Sequence, residues 1–304
     1  MITTIASQQS QLLRRQHVTL VGLATMLAVT AMAGILGWSS HHTIVRVFDE
    51  AVRLQAAAGQ PAPANPFLLK PNLSLLSNMV VYIPLIGSLL ALVVGHLALV
   101  EDQGQATGRL LFTRQVTRSQ YVLGKILACT RFLAVTMAAC ALVSVAALVV
   151  VNRALSASDV GRLAGFYVLS WAYLTVFALV GMLTALLARR RSLALLSAMG
   201  VWLVITFVVP QFTSGLRPTQ SLNPLTEPVG TSQAFFRATQ RAQPLSIVEQ
   251  YKTVSGTILG TAPNPTTGDT LLAIVPIVSA AILLTLLVLW KVQHHDYARS
   301  VTDE

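Results

Sequence analysis

The sequence predicts an all-α polytopic membrane protein: six transmembrane helices, with an amphipathic helix at the cytoplasmic surface between the second and third. Three observations carry this. Of 304 residues, 54% are hydrophobic and only 11% charged, against roughly 25% charged in a soluble domain. The apolar residues gather into runs that reach the ~20 needed to cross a hydrocarbon core of about 30 Å. The runs are continuous rather than alternating. Backbone in lipid must satisfy its own hydrogen bonds, so continuous runs read as helices and not as barrel strands. The whole chain, 1–304, reads as a single transmembrane domain, with no internal repeat and no water-soluble domain.

The first span, about 18–38, follows Arg14-Arg15. Its basic start, apolar stretch and Ala31-Met32-Ala33 share features with a cleavable secretory signal. The apolar stretch continues through Ile35 and Leu36 to Trp38, a full span's length, which favours retention. An outer segment, 39–76, comes next. Within it Ile44, Val45, Phe48, Val52 and Leu54 are spaced for an amphipathic helix lying on the membrane, before the Pro/Ala-rich stretch from Gln60 to Pro66. The second span covers about 77–100. The third covers 119–151, with Thr117 and Gln120 placed as a capping box at its start. The fourth and fifth, 161–187 and 192–212, are joined by the short loop Ala188-Arg189-Arg190-Arg191. In the second outer segment, 213–269, Pro244 to Tyr251 reads as a short helix and Thr261 to Gly268 as turns. The sixth span, 270–290, contains Pro276, an expected kink.

Orientation follows from Lys and Arg in short loops. The loop Ala188 to Arg191 is the clearest vote, and it puts both termini in the cytoplasm of a multi-pass protein of the cytoplasmic (inner) membrane. The net charge of +10 and pI of about 10.3 come from basic residues beside apolar runs. That placement suits anionic membrane lipids. No basic patch interleaves with aromatics, so nucleic acid is not an expected partner.

Chemistry inside the chain is not expected. The spans carry no Asp or Glu except at their ends, so no acid cluster supports catalysis. Cys129 and Cys140, eleven residues apart on one helix, are separated by roughly 16 Å along it, too far to bridge, and read as small buried hydrophobes. Met79, Met137, Met182, Met199, His41-His42 and His294-His295 lack ligand-like spacing, so no metal site is expected. Polar residues within spans are costly and mark functional candidates. Lys125 is expected to snorkel to the surface. For Arg131, snorkelling and a buried partner both stand. His96 reads first as a hydrogen-bonded packing residue. Arg131 and His96 are the intramembrane candidates.

The richest segment is the polar interruption from Glu101-Asp102 to Arg118. Glu101 and Asp102 close the second span. Leu110, Leu111 and Phe112 then lie in a row beside Arg109 and Arg114. One reading is a connecting loop with solvated charges. The other is a short helix lying flat at the inner surface. The length of the segment and its three consecutive apolar residues suit docking into a partner's groove better than solvation.

Glu101-Asp102, Gly104, Thr107, Leu110-Leu111, Val116-Thr117-Arg118 and Leu123-Gly124-Lys125 together resemble the cytoplasmic coupling segment of type 2 ABC transporter permeases. The branch most resembled is the permeases of multicopper-enzyme maturation, of which the nitrous-oxide-reductase accessory permease is an example. Ala106-Thr107-Gly108 stands where that family has Gly-Thr-Leu, and Gln115 where a proline precedes the valine. The resemblance implies a coupling helix seated in a cleft of a separate cytoplasmic ABC ATPase dimer, which binds ATP and Mg. This chain has no phosphate-loop motif and binds no cofactor itself. Arg109, Leu110, Leu111, Phe112, Arg114 and Arg118 would dock to the ATPase, with Glu101 and Asp102 orienting the helix. Six spans make half a transporter, so a second permease copy is implied. Two functions follow as expectations: a permease subunit coupling ATP hydrolysis to substrate movement, or a non-transporting subunit that transmits ATPase motion to an extracytoplasmic protein.

Overall fold

The computed structural model describes residues 1–61, 72–100, 117–152, 155–188, 190–213, 241–261 and 267–294. Among them every regular element is helical. Helix α1 is Ile2–Arg15 and α2 is His17–Ala57. The second span is composite: a 3-10 turn Asn72–Leu76, α3 (Met79–Tyr82), a π-turn Ile83–Gly87 and α4 (Ser88–Val100). Helices α5 (Arg118–Asn152) and α6 (Ala157–Leu187) form the third and fourth spans. The fifth joins α7 (Arg191–Leu203), a π-turn Val204–Val208 and α8 (Val209–Thr213). Helix α9 (Ile247–Leu259) precedes α10 (Thr267–Gln293), the sixth span. Six segments are thus long and apolar enough to cross a membrane.

The second and fourth spans are mostly buried, and the other four turn most of their surface outward. The central pair runs parallel and meets backbone to backbone. A Cβ built on Gly95 would lie 1.9 Å from the Ala178 carbonyl oxygen, and one on Gly181 2.1 Å from that of Leu92. Without a hydrophobic drive between helices in lipid, small residues that permit such approach are a main source of association. Polar side chains fasten the neighbours. The Trp171 indole donates to the Thr130 carbonyl at 2.9 Å, and the Tyr167 hydroxyl is 2.6 Å from Ser144 Oγ, both joining α6 to α5.

Three features differ from the sequence expectation. Helix α1 stands where only a basic lead-in to the first span was read. It is amphipathic, with Ala6, Gln9 and Leu13 buried; its short polar sequence carries too few apolar residues to register as a span. Second, Ile44 to Leu54 do not form a separate helix on the membrane: α2 continues through them to Ala57. No Gly or Pro interrupts the stretch from Trp38 to Ala57, so nothing breaks the ladder of hydrogen bonds. At 1.5 Å per residue, that stretch projects roughly 30 Å beyond Gly37. Third, α9 is longer than the helix read from sequence, and it is packed against α6 and α10. Ser246 caps its start by accepting from the Glu249 amide, and Gly260 ends it in the left-handed conformation, φ 72°. Tyr251 is fully buried there, its hydroxyl 2.9 Å from Ser170 Oγ.

Thr117 does cap the third span, its hydroxyl accepting from the Gln120 amide at 3.3 Å. Helix α10 runs through Pro276. Cys129 and Cys140 are free and buried.

Candidate functional site

Three contacts converge at one end of the bundle. Helix α1 presses on the start of α5 at Gly124, where an added Cβ would sit 2.7 Å from Ile5 Cγ2 and 3.1 Å from the Ile2 carbonyl oxygen. Arg118 Nη1 donates to the Gln293 carbonyl at 2.8 Å, tying the first residue of α5 to the last of α10. The final carbonyls of a helix lack intrahelical partners and favour a cation, so this contact stabilises the end of α10. Gln293 Nε2 answers with a 3.4 Å bond to Ser119 Oγ. The interrupting segment leaves from Val100 and returns at Thr117 at this same end. Helix α1, the end of α10 and both roots of the segment therefore lie together.

Lys125 corrects an expectation. Its side chain is buried, not snorkelled, and its ammonium donates to Gln9 Oε1 on α1. The Tyr121 ring lies beneath it, 5.4 Å from Nζ. The physical reason is α1 itself, which covers the face along which the lysine would otherwise reach water. Leu123-Gly124-Lys125 is thus the seat of α1: glycine gives access and lysine the polar tie. Replacing Gly124 with leucine is expected to push α1 off this seat. Ala6, fully buried against α5, would then react as a cysteine with a water-soluble thiol reagent at least tenfold faster than on the Gly124 background. Equal rates would show that α1 does not depend on this contact.

Of the other sequence candidates, Arg131 faces away from the bundle on α5. Helices α2 and α5 run side by side, with Gly34 against Ala147 and Thr30 facing Cys140. Counting back equally from Gly34 and Ala147 sets Arg131 level with Val18, at the first turn of the first span. A long side chain at that height is within reach of the interface. His96 is buried in the central pair, its backbone amide close beside Gly181. Its Nδ1 has no hydrogen-bond partner among the described residues. Glu101, Asp102, Arg109, Leu110, Leu111, Phe112 and Arg114 lie outside the described residues. Sequence reading missed Gly95, Gly181 and Gln9 as positioning residues. The spacing of Ile2, Ile5, Ala6, Gln9 and Leu13 was the signal for α1.

A family model for ABC-2 family transporter proteins matches residues 1–293. No curated protein matches the chain. With that match running from α1 through the six spans to the end of α10, the chain belongs to the ABC-2 transporter family, as a membrane-spanning permease subunit of an ABC transporter.

Proposed function

We propose that this chain is the permease half of an ABC transporter of the cytoplasmic membrane, working as a pair of copies on a separate cytoplasmic ATPase dimer that binds ATP and Mg. The family match over nearly the whole chain is the observation that carries this reading. The segment 101–116 serves as the coupling helix, with its termini and α1 on the cytoplasmic side. The convergence of α1, Arg118 and the end of α10 at the roots of that segment supports it. A push on the segment acts directly on the third span, through Arg118 on the sixth, and through Val100 on the buried second span. The multicopper-enzyme-maturation branch rests on the motif resemblance alone.

The test is reconstitution in nanodiscs with the cognate ATPase subunit. Hydrolysis is expected to rise several-fold when the chain is present, and Arg118→Ala is expected to reduce that stimulation without preventing insertion. An ATPase rate indifferent to the chain would sink the proposal.

One observation favours the second reading, transmission to an extracytoplasmic protein. The continuation of α2 to Ala57 is a helix unbroken from the membrane outward, and a lever of that kind carries motion farther than a loop. Partner-dependent ATPase activity without substrate flux would select this reading, and flux without an outer partner would reject it.

A further inference from the structure

Among the described residues, two spans contain a π-turn. Ile83–Gly87 in the second holds Pro84, and Val204–Val208 in the fifth has Pro210 two residues past its end. Such turns interrupt the regular hydrogen-bond ladder, bend helices and recur at functional positions. They are joined by one polar chain. Ser88, the first residue after its π-turn, donates its hydroxyl proton to the Pro84 carbonyl within that turn. The same Ser88 oxygen accepts from the Trp202 indole N–H at 2.7 Å. The Trp202 ring in turn meets Phe207, inside the second π-turn, edge to face at 5.6 Å. Ser88 and Trp202 are buried, where a lost hydrogen bond is not replaced by water.

A second observation sets the fifth-span turn apart from the regular helices. Several threonines in the regular helices bond the carbonyl four residues back: Thr136 to Phe132 at 3.0 Å, Thr175 to Trp171 at 2.8 Å, Thr213 to Val209 at 3.0 Å. Thr206, in the π-turn, does not. Its hydroxyl is buried without a hydrogen-bond partner among the described residues. A regular α-turn would bring it to the Trp202 carbonyl. In the π form the Trp202–Ser88 bond is made and the Thr206 bond is not, and an α form offers Thr206 that bond.

We propose that Trp202 and Ser88 form a latch coupling the two π-turns, so that the second and fifth spans bend together. The buried second span packs backbone to backbone on α6 at Gly95 and Gly181, so a bend there is passed to the centre of the bundle. The fifth span lies at the outside, with Leu203, Val204, Phe207 and Val208 exposed. A surface event on the fifth span thereby reaches the core through one indole N–H.

The test uses the full chain in nanodiscs and does not depend on transport. Spin labels at positions 77 and 97 bracket the first turn; labels at 196 and 212 bracket the second. The native cysteines, being buried, stay unlabelled. Trp202→Phe keeps the ring and removes the donor. It is expected to broaden both distance distributions and shift both means by roughly 1.5 Å, the rise of one residue. Ser88→Ala is expected to do the same from the other side, and the double substitution to add nothing. Thr206→Val, which leaves the latch intact and removes the competing bond, is expected to sharpen the 196–212 distribution. A change confined to the span carrying the substitution, additive effects, or unchanged distances in both pairs would overturn the latch.

Discussion

Gly181→Leu is expected to abolish recovery of the folded protein as a monodisperse species, with Gly95→Val close behind. The atoms a new Cβ would meet are the carbonyl oxygens of Leu92 and Ala178, at 2.1 and 1.9 Å. Both are backbone, so no side-chain rotation relieves the clash and the central helices must separate. Overpacking costs about 1–3 kcal/mol where side chains can give, and here they cannot, so the upper end is the floor. Separation would also break the close packing that holds α4 and α6 without hydrophobic help from lipid. Gly165→Ala is the matched control: it lies on the same helix, and a Cβ there meets nothing within 4 Å. Thermal unfolding followed by size-exclusion chromatography decides the matter. A Gly181→Leu protein melting with the native one would mean that the helices do not cross there.

The second large effect is expected at the segment proposed to dock to the ATPase. Changing Leu110 and Leu111 together to aspartate should weaken association with the ATPase by about a hundredfold and remove its stimulation. The estimate assigns each leucine roughly 1.5 kcal/mol of buried apolar surface, and 1.4 kcal/mol is tenfold in affinity. Aspartate adds a desolvation cost, so the figure is a lower bound. Insertion and the native melting temperature should be retained, because these residues lie in sequence between the second and third spans and not within either. Unchanged ATPase binding by the double variant would assign the segment to a solvated loop. Arg118→Ala is not a substitute for this experiment. Its guanidinium also holds the Gln293 carbonyl, so loss of stimulation there combines docking with a loosened sixth span.

The two spans most deeply buried, the second and fourth, do not differ in apolar content from those facing outward, as their similar hydropathies indicate. Lipid is as apolar as leucine, so hydrophobicity fixes which segments enter the membrane and is silent on which lie at the centre. Gly95 and Gly181 bring the two central backbones together, and a glycine pair far apart in sequence carries no periodic signal. The π-turns were hidden for a related reason: Pro84 and Pro210 warn of an irregularity, and only the surrounding packing chooses its form. Lys125 shows the opposite failure. Its snorkelling followed correctly from a lone helix, and α1, a distant piece of chain, removed the water it would have reached.

Composition and run length by themselves determined the all-helical membrane class and the six spans. Helix propensity and capping set several boundaries, including Thr117 at the head of α5. The local motif around residues 101–125 pointed to the transporter family, because a motif of contiguous residues is legible without the fold. The tertiary structure alone decided that α1 folds back over Gly124 and Lys125 and that α9 is buried beside α6. Each depends on contacts between segments far apart in the chain, where the deciding quantity is the distance between backbones.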